Sequence, residues 1–199
     1  MPSLIDTVTH DAIAPDEVIV YYKSGYGGVP AANISTLPQG LRMVAGNMAA
    51  TAHQPHTKWE CEDVGYSPST EDFIHGCAPG DRVVMKLDFP QCWDGVNLDS
   101  ADHKSHMAYT TGSGCPATHP VAIPVITYNV YTVVGPAQDP TTWRLSSDNY
   151  DVAEPGGYSV HGDWFNGWIP EVSDTFINNC VRPARDCHGH LLGDGTTLF

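Results

Sequence analysis

Positive charge is what this chain has least of. Only 9 lysines and arginines stand against 23 aspartates and glutamates, a formal net charge of −14 over 199 residues. That balance excludes a surface built to hold phosphate backbones or anionic lipid, so no nucleic-acid and no membrane partner is expected. Long apolar runs are missing too: nowhere do roughly 18 apolar residues follow one another, which removes a membrane-spanning helix. No basic stretch followed by an apolar run comes after Met1, so a secretion leader is not expected among these residues. Cys-x-x-Cys pairs are also absent, which leaves zinc ribbons and thioredoxin-type redox sites without support, and no nucleotide cofactor is expected.

Backbone punctuation, by contrast, is plentiful. Glycine (19) and proline (16) together exceed the usual background of about 12%. A helical bundle tolerates that poorly. Short strands joined by turns and long loops are the better reading, and the absence of any linker or repeat points to a single domain over residues 1–199. We expect a mainly β antiparallel sandwich or jelly-roll-like fold with little helix, an irregular segment over 1–17 and a mobile tail over 188–199.

Strands are predicted at Val18–Tyr22, Leu41–Gly46 and Arg82–Phe89, where Val83, Met85, Leu87 and Phe89 alternate. The strongest β-branched run is Val121–Val134, which Pro124 should interrupt or confine to an edge. A further short strand is expected at Tyr158–His161, and Pro170–Asn179 is the one helix candidate. The segment from Asn47 to Cys77 reads as loop, with His53, His56 and His75 as solvated residues.

The six cysteines fit disulfides in an oxidising, extracellular compartment. Of the fifteen connectivities open to six cysteines, we expect the sequential one (Cys61–Cys77, Cys92–Cys115 and Cys180–Cys187), because each pair brackets a turn-rich stretch. Asn33-Ile34-Ser35 fits the N-glycosylation triplet.

The densest chemistry lies between Cys92 and His119. Asp94, Asp99 and Asp102 stand there with His103 and His106, directly after a predicted strand, where rigid scaffolds present functional side chains. Spacing by three would put His103 and His106 on one side of a helical turn. With His119 and His161 as further candidates, these imidazoles could share a divalent cation with a carboxylate; zinc, copper and calcium are not distinguished. Asp94, Asp99, Asp102 and Asp163 are candidate proton-transfer groups. Trp93, Tyr158, Trp164 and Trp168 are candidate platforms for stacking on sugar rings. A purely structural reading stands beside this one: Trp93-Asp94-Gly95-Val96-Asn97 can be a turn whose side chains cap backbone amides, and the histidines can be hydrogen-bonded loop residues.

The composite run Phe89-Pro90-Gln91-Cys92-Trp93-Asp94-Gly95, with Asn97-Leu98-Asp99-Ser100, Asp102-His103-Lys104-Ser105-His106, Gly114-Cys115-Pro116 and His119-Pro120, resembles the "domain of unknown function 1996" family. The likeness runs from about Val18 to Cys187. It implies secreted fungal and actinobacterial proteins, often with carbohydrate-binding or cell-wall-associated modules alongside, and it carries no established activity. A His-x-His element common in that family has no counterpart before Val18, where His10 stands alone. Together these readings favour a secreted polysaccharide-active protein, a metal-assisted hydrolase or lyase acting on glycans. The alternative is a non-catalytic carbohydrate-binding or cell-wall-associated module.

Overall fold

The computed structural model describes residues 1–62 and 77–198. In chain order the strands are β1 (Leu4–Asp6), β2 (Ala12–Ile13), β3 (Glu17–Lys23), β4 (Arg42–Gly46), β5 (Thr57–Cys61) and β6 (Arg82–Asp88). They continue with β7 (Cys92–Trp93), β8 (Met107–Ala108), β9 (Val121–Ala122), β10 (Val125–Val133), β11 (Trp143–Leu145) and β12 (His161–Phe165). Among the described residues there is one short α-helix, α1 (Pro170–Phe176), which runs on into a wider π-type turn over Ile177–Val181. With several antiparallel sheets and 29% strand against 10% helix, the fold is mainly β with little helix, consistent with a β-sandwich.

The chain forms two compact units. Unit one comprises Met1–Val20, Ala45–Asp88 and Thr127–Gly162; unit two comprises Tyr21–Val44, Phe89–Ile126 and Asp163–Phe199. In unit one, β1 lies between β11 and β2, with Leu4 facing both Leu145 and Ile13. Residues 1–17, expected to be irregular, therefore carry two paired strands. A second sheet runs β3-β10-β6-β5. Its centre is the β10–β6 ladder, in which Val130 faces Met85 and Thr132 faces Val83. The run Val-Ile-Thr-Tyr-Asn-Val-Tyr-Thr-Val suits this position because β-branched and aromatic side chains pack well on a pleated surface. Pro124, which has no N–H to give to a ladder, separates β9 from β10 as expected.

The core of unit one is apolar and closed: Trp59, Val83, Val84, Leu87, Trp143 and Leu145 are each 3% exposed or less. Fully burying one such side chain contributes about 1.5–3 kcal/mol. Where a loop was expected, β5 pairs with β6, Trp59 opposite Met85. Its Lys86–Glu60 ion pair ties the two strands on the half-buried side.

In unit two, β7 is flanked by β8 and β9, so that Cys92 faces Ala108 on one side and Ala122 on the other. Leu41, Met43, Phe89, Ile123, Ile126 and Ile177 form its buried interior. Pro170 opens α1, its fixed φ already helical, and Glu171 sits in the first turn, where a negative charge is favourable. The three disulfides pair as expected: Cys61–Cys77, Cys92–Cys115 and Cys180–Cys187.

Candidate functional site

The site begins as a loop closed at its base. Residues 94–106 leave β7 and return through β8, where Trp93 faces Met107. The Cys92–Cys115 bridge, with Cα atoms 5.5 Å apart, pins the same base. Two aspartates then shape the loop from within. Asp94 accepts from the backbone of Val96 (2.8 Å) and Asn97 (2.9 Å) and from the Asn97 amide (2.7 Å). Burial raises its pKa, but these donors together hold the carboxyl below its ordinary value. The Trp93 indole closes this turn by donating to the Asn97 carbonyl at 2.6 Å.

Asp102 accepts from Ser105 N (2.9 Å), Ser100 Oγ (2.7 Å), Lys104 N (3.1 Å) and Ser105 Oγ (2.9 Å). The Ser105 amide is the largest of the causes that hold its carboxyl far below the usual carboxylate range. Both side chains are turn organisers, which is what the structural reading of this stretch foresaw for Asp94.

Main-chain bonds then fix the loop along one edge of β4. Arg42 N donates to Leu98 O (2.9 Å) and Val44 N to His103 O (2.9 Å). His106, 2% exposed, donates from Nε2 to Arg42 O at 2.7 Å while its Nδ1 meets Ser100 Oγ at 2.8 Å. Both its ring nitrogens are thereby engaged. His119 is likewise occupied, Nε2 donating to Ser105 O (3.1 Å) and Nδ1 meeting Thr118 Oγ1 (2.9 Å).

The expected helical pairing of His103 with His106 is overturned. His103 has φ +55°, in the left-handed region, and the segment is a series of turns. The reversal sends His106 inward, while His103 is left 54% exposed on the outside. There His103 Nδ1 meets Asp99 Oδ1 at 2.7 Å, and Arg42 Nη1 lies 3.9 Å from Asp99 Oδ2. The His103 hydrogen bond is the chief cause that holds the Asp99 carboxyl below its ordinary value. An imidazole oriented through Nδ1 by a carboxylate presents Nε2 outward, the arrangement a proton-transfer group needs.

The other edge of β4 carries β12. Asn166 N donates to Leu41 O at one end, and Gly46 packs against Val160 and His161 at the other, so the strands run antiparallel. Alternation then sorts the side chains. Met43, Ala45 and Trp164 are buried, while Arg42, Asp163 and Phe165 are exposed. Phe165, which the sequence shows beside Trp164 and Trp168 around the His161-Gly162-Asp163 stretch, is the one of the three that is exposed, at 63%. That exposure is legible in the alternation of Asp163-Trp164-Phe165 about a buried tryptophan. Trp164 itself is 4% exposed and donates to Tyr22 OH, as does Trp168, so Trp164 is part of the interior. Trp168 packs edge-on against Tyr22 and Phe176.

His161, its Nδ1 2.8 Å from Ser159 O, and Tyr158 belong to unit one, whereas Asp99, His103, His106 and His119 belong to unit two. Among the described residues no group of three or more His, Cys, Asp or Glu side chains is placed to hold a metal ion. His53 and His56 are exposed. His75 lies outside the described residues.

No curated protein and no solved structure matches the chain. The family model for the domain of unknown function 1996 matches residues 5–168, a span that takes in both the Asp99–His103 pair and the Asp163–Phe165 edge. Since that match covers most of the sequence, the chain belongs to the domain of unknown function 1996 family.

Proposed function

We propose that this protein is a secreted, polysaccharide-active hydrolase or lyase in which His103, held by Asp99, is the proton-transfer group. One observation carries the reading: the 2.7 Å Asp99–His103 contact lies on an exposed face beside Arg42, at the edge of a rigid strand. An apolar ring at Phe165 and polar groups at Arg42 and Asp163 suit a glycan, whose pyranose faces stack while its hydroxyls hydrogen-bond. Three disulfides are compatible with an oxidising compartment.

In this mechanism the sugar packs on Phe165 and is oriented by Arg42 and Asp163. His103 Nε2 then moves a proton to or from the reacting oxygen or carbon, while Asp99 keeps the ring in place. A positioned acid or base contributes about 10²–10⁴-fold. Incubation with a panel of cell-wall polysaccharides, followed by assay of new reducing ends and of ultraviolet-absorbing unsaturated products, separates hydrolysis from elimination. His103→Ala should lose at least two orders of magnitude in rate while retaining the fold. Turnover unchanged in that variant would overturn the reading.

A second reading is favoured by the capture of Asp94 and Asp102 in turns, which takes two of the four candidate proton-transfer carboxylates out of the chemistry. On that reading the face is a non-catalytic glycan-binding surface. The wild-type chain would then be retained on an insoluble glycan without releasing product, and Phe165→Ala would abolish the retention. For a divalent cation, the Asp99–His103 pair offers a carboxylate and an imidazole within hydrogen-bond distance of each other. Elemental analysis and melting with zinc, copper or calcium test whether they hold one.

A further inference from the structure

The Asn33-Ile34-Ser35 triplet has no part in the polysaccharide reading. Of the eight asparagines in the chain, Asn33 alone is followed two positions on by serine or threonine, and the residue between is not proline. Such a triplet accepts an N-linked oligosaccharide when it lies on the surface of a chain that enters the secretory pathway. Whether the folded protein can carry one depends on where the asparagine points.

Pro30 leads into a single 3₁₀ turn over Ala31–Asn33. Asn33 N donates to Pro30 O (2.9 Å) and Ile34 N to Ala31 O (3.2 Å), which closes the turn. The backbone then extends at Ile34, with φ −71° and ψ 127°. Ile34 turns inward and is 2% exposed, whereas Asn33 is exposed and Ser35 half-buried. Two bonds fix the backbone directly after the asparagine. Ser35 N donates to Ala122 O on β9 (2.7 Å), and Arg182 Nε donates to Ile34 O (2.6 Å). Ile34 thus supplies the local burial, and a bulky group on Asn33 leaves the surface from a fixed point without displacing the interior.

We propose that Asn33 is an N-glycosylation site. The proposal rests on the secreted reading above for its compartment alone. In the transfer, Asn33 Nδ2 bonds to C1 of the first sugar of a lipid-linked oligosaccharide. The C1–O bond to the lipid diphosphate breaks, the diphosphate leaves with the electron pair, and the amide nitrogen gives up one proton. Ser35 supplies the hydroxyl that completes the acceptor triplet.

The test uses the full chain, directed by a cleavable leader into the lumen of a eukaryotic secretory host, with secreted and cell-retained chains both collected. A single discrete step in mass is expected, removed by peptide-N-glycosidase, which leaves an aspartate in place of Asn33 in the peptide map. Asn33→Gln and Ser35→Ala should each lose the step entirely, and Ser35→Thr, which keeps the hydroxyl, should retain it. Wild-type chains unmodified at Asn33 in both pools overturn the proposal, and so does a step that survives Ser35→Ala. A melting temperature that rises when the oligosaccharide is removed from the folded protein overturns the outward placement of Asn33. Because the leader supplies the compartment, these outcomes are independent of polysaccharide turnover, whose failure bears on the catalytic reading alone.

Discussion

Two histidines three positions apart divide the work of the polar loop between them. His106 is buried and its Nε2 satisfies the Arg42 carbonyl, so His106→Ala strands that acceptor and leaves a void. We expect a loss of about 1–3 kcal/mol, measured by urea unfolding. His103 sits on the surface, so His103→Ala, which gives up the Asp99 hydrogen bond, should cost less than His106→Ala, about 1 kcal/mol or under, while removing whatever chemistry the face performs.

Asp102 and Asp99 give a pH signature at the same scale. Both carboxyls are held below their ordinary value, so the unfolded chain binds protons more readily than the folded one. Their contribution to stability is therefore fully present above the ordinary aspartate pKa of about 3.9 and is lost as pH falls through the lowered values. Carboxyl carbon NMR should show both groups still ionised at pH 3.9. Half-protonation of Asp102 at that pH would contradict the four-donor geometry.

Among the elements, the loop from Asp94 to His106 depends on its base. Cys92→Ser with Cys115→Ser should cost about 2–4 kcal/mol, read from the melting transition. Amide exchange should quicken across 94–106 more than in β10.

How much of this was legible in the sequence differs from element to element. β3, β4, β6 and β10 were visible because β-branched runs announce themselves, and Pro124 marked its own break. β5 was overlooked although Thr57, Trp59 and Cys61 alternate with Lys58 and Glu60, because the surrounding prolines and histidines looked like loop. β12 was expected at Tyr158–His161 and forms at His161–Phe165, where glycine and aspartate are poor strand formers. Pairing with β4, and not local preference, places it there. The polar cluster was likewise visible as a composition. The partners within it were not, because the left-handed turn at His103 decides which ring faces out, and no spacing rule encodes that turn.

For the whole molecule, charge is the dominant condition. With −14 distributed over 199 residues, self-repulsion opposes the compact state, and screening relieves it. Raising sodium chloride from about 10 mM to about 150 mM shortens the Debye length from roughly 25–30 Å to about 8 Å and should raise the melting temperature. A fall instead would mean that exposed ion pairs such as Arg82 with Glu17 and Glu62 outweigh the repulsion.

The loop's hold on β4 has a consequence for how such a surface can change. Two of its three attachments, through the carbonyls of Leu98 and His103, are made by peptide groups that every residue possesses. Anchorage is thus uncoupled from reactivity at those positions, and the groups displayed outward can be exchanged, at His103 among residue types that accept its left-handed backbone, while the platform beneath them keeps its shape.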